Sequence, residues 1–228
     1  MPQRDHDIYA SAPLVGLLAE ETAALMPALQ RCAGARAMLL SAAVHDIPPN
    51  LPLLGHWTRL NLARGELFGD VRASAVEPLP FADDVFDLVL LRHALEAAPM
   101  PPQLLDEMIR LLAPGGLLVL TGVHPLSGWA PWWHWHTRGH GMHMNTPLQL
   151  GTWLRRAELQ VERMQRVGRM WPVASVDVSG ASSPWGGGFV LLARKRRRMS
   201  LPTRLRPRPV SAPVGAGLAP GARRNSAS

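Results

Sequence analysis

The chain has 228 residues, 47% of them hydrophobic and 18% charged, with a mean hydropathy near zero at +0.01; that is enough apolar material for one well-buried core in a single domain with appendages. No stretch approaches the ~20 consecutive apolar residues of a membrane span, and the first thirty residues lack the basic start, apolar run and small-residue cleavage site of a secretory leader. A single cysteine, Cys32, excludes an internal disulfide framework and fits a reducing cytoplasm.

In chain order, residues 8–32 are expected to be helical, with Leu14, Leu17, Leu18, Leu25 and Leu29 on one face. Residues 1–34 are thus read as an N-terminal helical extension. Ala37–Val44 is a short apolar run expected to be a buried strand, closed by Pro48 and Pro49. Trp57–Leu62 and Val71–Val76 are weaker strand candidates. Val85–Leu91 is nearly continuous in apolar character, as a parallel strand covered on both faces requires. Pro101 and Pro102 suit a first helical turn, and Leu104, Leu105, Met108, Leu111 and Leu112 follow at helical spacing. Pro114-Gly115-Gly116 ends that helix ahead of a strand over Leu117–Leu120. Residues 147–158 are expected to form a helix with Leu148, Leu150, Trp153 and Leu154 inward. Gln160–Val167 and Gly188–Ala193 are expected as an antiparallel edge pair. The alternation predicts an α/β fold, a Rossmann-like three-layer sandwich whose mostly parallel, seven-stranded sheet carries an antiparallel edge strand. The domain is placed at 35–198.

The net charge of +7 is unevenly placed. From Arg194 onward there are ten basic residues and no acid, leaving fourteen basic against seventeen acidic residues, a net of −3, in residues 1–193. The end is also rich in Pro, Gly, Ser and Ala, too poor in apolar surface to offset its ordering entropy, so 199–228 is read as a disordered basic tail. The run Arg194–Arg198 is either a solvated tail or an electrostatic contact for nucleic acid or an anionic membrane surface.

Two motifs carry a resemblance. Residues 77–89, Glu-Pro-Leu-Pro-Phe-Ala-Asp-Asp-Val-Phe-Asp-Leu-Val, and residues 107–120, Glu-Met-Ile-Arg-Leu-Leu-Ala-Pro-Gly-Gly-Leu-Leu-Val-Leu, resemble the type 11 family of class I S-adenosylmethionine (SAM)-dependent methyltransferases, in that family's order and separation. The resemblance implies a sheet that binds SAM at the carboxyl ends of its strands, beneath a substrate lid. Within it, Phe86, Leu88, Val89 and Leu90 are expected in the core, Asp87 at the start of the strand, and Leu79 in the turn packing the preceding loop. The family's glycine turn after the first strand aligns with Ser41, Ala42 and Ala43, where no glycine stands. Its ribose-binding carboxylate aligns with Asn61, and its Gly-Asp pair with Ser74-Ala75. A branch of the family with a degenerate glycine motif is similar also in Leu90-Leu91-Arg92-His93, in Gly122-Val123-His124-Pro125 and in a basic extension. The resemblance implies Ser41, Ala42, Ala43, Asn61, Leu79 and Arg92 as cofactor-binding positions.

Residues 124–146 form a segment dense in aromatic and imidazole side chains, with Trp129, Trp132, Trp133 and Trp135 beside His124, His134, His136, His140 and His143. Three readings stay open: a packed aromatic lid; a pocket or interfacial surface for a lipophilic substrate, touched by Trp129, Trp133 and His136; and a metal site from His134, His136, His140 and His143, whose spacing fits no standard pattern, so no metal is assigned. Methyl transfer needs a base only if the acceptor must lose a proton, and His93 or His124, at the ends of the fourth and fifth strands, is the candidate. The functional expectation is a cytoplasmic SAM-dependent methyltransferase of a small, unidentified acceptor, lipophilic on the second lid reading. The alternatives are a catalytically inactive binding module of the same fold and an RNA-associated methyltransferase using the basic tail.

Overall fold

A computed structural model describes residues 8–138, 141–174 and 178–197. The expected tail at 199–228 lies outside the described residues, as do His140 and Arg198. After a single 3-10 turn at Ile8–Ala10, the elements are α1 (Ala12–Leu29), β1 (Gly34–Ser41), β2 (Leu54–Ala63), β3 (Glu66–Gly69), β4 (Ala73–Ser74), β5 (Phe86–Arg92), α2 (Ala94–Ala97), α3 (Pro101–Leu111), β6 (Leu112–Val123), α4 (Trp129–His136), α5 (Pro147–Arg156), β7 (Leu159–Val167) and β8 (Gly188–Lys195). Among the described residues eight strands, not seven, form one sheet in the order β4-β3-β2-β1-β5-β6-β8-β7. Strands β2, β1, β5 and β6 are mutually parallel. β3 opposes β2, and β4 opposes β3. β8 runs against both of its neighbours, β6 and β7, so β8 and β7 form the expected antiparallel pair at one edge of the sheet, and β3 is likewise reversed next to the other edge.

Alternation along the central strands splits the core. Ala37, Leu39, Leu88, Leu90, Leu117, Val119, Val190 and Leu192 meet Leu25 and Leu29 of α1 on one face. Met38, Leu40, Val89, Leu91, Leu118, Leu120, Phe189 and Leu191 meet the leucines of α3 and α5 on the other. Each fully buried leucine contributes about 1.5–3 kcal/mol relative to exposure. Two connections depart from expectation. Parallel strands usually cross over through a helix, but residues 42–53 between β1 and β2 contain none, because Pro48 and Pro49 remove two amide donors and fix two backbone angles. The expected strand at Val71–Val76 shrinks to Ala73–Ser74, and a hairpin, β2–β3, precedes it. Arg64 and Gly65 both take positive φ, 53° and 80°, which suits a two-residue hairpin turn to the right-handed twist of its strands. Pro114-Gly115-Gly116 makes a tight bulge inside a strand, with Gly115 at φ 85° and the step from Leu112 to Leu117 facing the step from Phe86 to Leu88. β6 begins at Leu112, and its register against β5 shifts between Phe86 and Leu88.

The two motifs hold one another. Glu107 accepts the Leu79 N–H at 2.7 Å. Arg110 donates to the carbonyls of Leu79 and Phe81 and to the carboxylates of Glu107 and Asp83. The Arg110 guanidinium holds the Glu107 carboxyl below its ordinary value. Phe81 meets Phe86 edge-on at 5.3 Å, and Asp87 accepts the N–H groups of Ala35 and Arg36, tying β5 to the start of β1.

Helix α1 is long and apolar enough to cross a membrane by length and composition alone, although Glu20, Glu21 and Thr22 interrupt its apolar run. Here it is a core helix: Leu14, Leu17, Leu25 and Leu29 are buried, and so are Glu20 and Glu21. Helix α5 buries Leu150 and Leu154 with Trp153 partly covered, but Leu148, expected inward, is 73% exposed. The buried stripe runs through Pro147, Leu150, Gly151 and Leu154, and Leu148 falls off it. Leu148→Glu is therefore expected to change stability by no more than about 0.5 kcal/mol in a denaturant titration, whereas a loss above about 2 kcal/mol would restore Leu148 to the core.

Candidate functional site at the strand ends

The carboxyl ends of β1, β5 and β6 converge under α1. At the end of β1, Ser41 is fully buried and its hydroxyl accepts the Ala43 N–H at 3.1 Å. The Ala42 N–H reaches across to the Arg92 carbonyl. Ala42 and Ala43 pack with Tyr9, Leu14, Leu17, Val123, Trp129 and Trp133 in a closed apolar cluster. Asn61 lies beside Ser41 in the β1–β2 register and is half-buried. Leu79 is buried on the other face, among the leucines of α3.

Arg92, last residue of β5, is buried and bonds Asp46 Oδ1 at 2.9 Å and the Leu18 carbonyl of α1 at 2.7 Å. His93 follows in the left-handed region, φ 54°, a conformation that costs a side-chain-bearing residue free energy and persists where the surroundings hold it. What holds it is charge. Nδ1 lies 2.7 Å from Glu96 Oε2, and Nε2 lies 3.2 Å from Glu21 Oε1. Burial opposes the imidazolium, but Glu21 and Glu96 outweigh it and raise His93 to about 10. Burial in turn pushes the Glu96 carboxyl up. Glu96 Oε1 also accepts the Val123 N–H, an approach open because position 122 is glycine: a Cβ there would stand 2.8 Å from Glu96 Oε1. Tyr9 meets the His93 ring edge-on and Trp133 lies nearly parallel to it. This carboxylate–imidazole–carboxylate group was legible only in part: His93 was singled out, but Glu21 and Glu96 carry no sequence signal beyond being acids on apolar helical faces.

His124, half-buried just past β6, differs in kind. Its Nδ1 accepts the Leu126 N–H at 3.1 Å, and burial, helped by Arg166, lowers its pKa. A neutral ring whose Nδ1 accepts carries its proton on Nε2. In α4, Trp129 and Trp133 are buried while His136 is exposed and stacked on Trp132. The lid's inner face is therefore indole packing, with Trp129 Nε1 donating to the Arg169 carbonyl. Among the described residues no group of three His, Cys, Asp or Glu could hold a metal ion. At the opposite end of the sheet, Arg194 pairs with Glu162 and Lys195 with Asp84, so two charges of the basic run are spent within the fold.

The methyltransferase domain family matches residues 35–120. An uncharacterized methyltransferase of Mycobacterium leprae is 51% identical over 51 residues, 22% of this chain and 19% of that protein. Residues 35–120 thus resemble a methyltransferase domain. The matched stretch spans about a fifth of the length of the curated relatives. Among solved structures, a SAM-dependent methyltransferase of Thermotoga maritima superposes with a TM-score of 0.57 at 13% identity, over 83% of this chain and 98% of that one. The trans-methyltransferase CalH in complex with SAH gives 0.52 at 14%, over 82% of this chain and 60% of that one. These two show the same fold.

The family's cofactor, SAM, can be tested against the residues present. Asp46 Oδ2 and Arg92 Nε are buried without a hydrogen-bond partner, although their ion pair leaves one acceptor and one donor available. That donor set suits the ammonium and carboxylate of an amino-acid end, and Asn61 can offer a ribose hydroxyl a neutral hydrogen bond. Ser41, Asp46, Asn61 and Arg92 are the residues that would hold it. The backbone cradle is different: alanines replace glycines, and with no helix after β1 there is no helix N-terminus to meet an anion. Since Ser41, Ala42, Ala43 and Arg92 are all buried beneath α1 and α4, a ligand reaches them only when that cover is displaced.

Proposed function

We propose that the protein is a SAM-dependent methyltransferase of a small acceptor, working in the cytoplasm. What supports it most is the half-satisfied Asp46–Arg92 pair, at the strand ends of a domain that resembles a methyltransferase. When bound, SAM supplies an electrophilic methyl group. The chain's own contribution is to hold, orient and exclude water. Neither candidate histidine is a ready base: His93 holds its proton between two carboxylates, and His124 presents Nε2–H, its lone pair being taken by Leu126. His124 therefore orients an acceptor by donating to it, and the acceptor class that fits is a nucleophile already carrying its lone pair, such as an amine or a thiolate. The apolar lid of Trp129 and Trp133 favours a lipophilic one.

A second reading, a non-catalytic binding module, is favoured by one observation: Ala42 and Ala43 are enclosed by Tyr9, Leu14, Leu17 and Trp133 rather than facing a cleft. Calorimetric titration of the full chain with SAM and with its demethylated product separates the two. The methyltransferase reading expects dissociation constants below about 1 mM, a binding free energy beyond about −4 kcal/mol, weakened by Asp46→Asn. No heat from either ligand at that concentration leaves the module.

A further inference from the structure

The site above uses the buried face of α4 and leaves an opposite, outward surface unexplained. At the end of the sheet where β6 and β7 finish and β8 begins, Leu126 is 78% exposed, Trp171 58% and Trp185 66%. They are neighbours. The Arg166 guanidinium bonds the carbonyls of Leu126 and of Gly186, the residue after Trp185. The Trp171 ring lies on Gly128, where a Cβ would stand 2.4 Å from it. Arg169 joins them through its carbonyl bond to Trp129. Trp135, on the outward face of α4, is 66% exposed with the Arg138 guanidinium 4.6 Å above its ring.

The charge of these segments is one-sided. Residues 124–143 and 166–187 together hold Arg138, Arg166 and Arg169 against a single acid, Asp177. Isolated exposed apolar residues need no explanation, but indoles interleaved with arginines combine the two terms that hold a protein at a lipid interface. The ring sits where one side is apolar and the other wet, and each arginine near an anionic surface adds about 1 kcal/mol. We propose that this end of the molecule docks on the headgroup region of an anionic bilayer, with Trp171 and Trp185 inserting and the surrounding arginines meeting lipid phosphates. The surface lies at the carboxyl end of the parallel strands, away from Arg194 and Lys195. The proposal stands independently of methyl transfer.

The test uses the full chain with vesicles of phosphatidylcholine and phosphatidylglycerol whose acyl chains are brominated, reading co-sedimentation and tryptophan fluorescence together. Expected are binding that falls with salt and with removal of phosphatidylglycerol, and quenching of emission by the bromines. Trp171→Ala/Trp185→Ala is expected to weaken partition by about tenfold or more and to remove most of the quenching. Because Trp171 leans on Gly128, Trp185→Ala alone, at an exposed side chain, serves as the variant that keeps its melting temperature. It should still lose part of both signals. Co-sedimentation without quenching would mean adsorption through the basic tail and overturns the proposal. So do undiminished quenching in the double variant and no binding to either vesicle.

Discussion

His93→Ala is expected to destabilise the protein by about 3–5 kcal/mol, because removing one member of a buried charge group strands the others. For a chain of this size that is a fall in melting temperature of roughly 6–20 °C. In the wild type the imidazolium stands between Glu21 and Glu96, all three side chains excluded from water. Alanine leaves both carboxylates facing a cavity. Adding Glu21→Gln to His93→Ala should then recover part of the loss, since it removes a stranded charge; a further loss in the double variant would show that the cost lies in packing alone. The same group sets a pH dependence. His93 has a folded-state pKa of about 10 against an ordinary 6.5, so its contribution is complete below about 6.5 and is lost as pH rises toward 10. The slope in that window is at most about 1.4 kcal/mol per pH unit. Stability measured by denaturant titration should decline from pH 7 to pH 10, and His93→Gln should flatten that limb.

Where sequence and structure agree, the reason is burial pattern. Val85–Leu91 reads as a strand covered on both faces because almost every residue in it is apolar, and β5 is buried at every position but Asp87. The leucines of α3 fall at helical spacing, and they are the ones buried. The Leu-Pro-Phe turn was legible as architecture, although its fastening by Glu107 and Arg110 needed the fold, since two residues one turn apart on a helix give no hint of what they reach. Where the reading failed, long-range contacts decide. Leu148 fits an apolar face by spacing, but its neighbours are solvent. The β2–β3 hairpin rests on Arg64-Gly65, a weak local turn signal, and its partner strand holds only two apolar side chains. The site divides the same way. Ser41, Asn61, Arg92 and His93 are candidates from alignment to a motif, whereas Asp46, Glu21 and Glu96 complete the charge pairs of Arg92 and His93 from loops and helices that no local pattern connects to the strand ends.

Arg92→Leu carries the second large effect, and it separates the cover from the sheet. The leucine keeps much of the volume but strands the Asp46 carboxylate and takes one donor from the Leu18 carbonyl, which keeps the Thr22 hydroxyl; the stranded carboxylate costs about 3–5 kcal/mol if it stays buried. The bond to Leu18 is one of the links between α1 and the strand ends; the contacts of Glu21 with His93 and of Glu20 with Ser179 and Gly180 are others. Cutting the Arg92 link should loosen the amino-terminal half of α1 before it loosens the sheet. Amide hydrogen exchange is then expected to accelerate across residues 12–20 more than across β5 and β6. Uniform acceleration over all of these would mean that α1 and the sheet open as one unit, and that a ligand could reach Ser41 and Arg92 only by unfolding the domain. Preferential opening of α1 would instead give a route to the strand ends with the core intact, the condition that binding of SAM at this site requires.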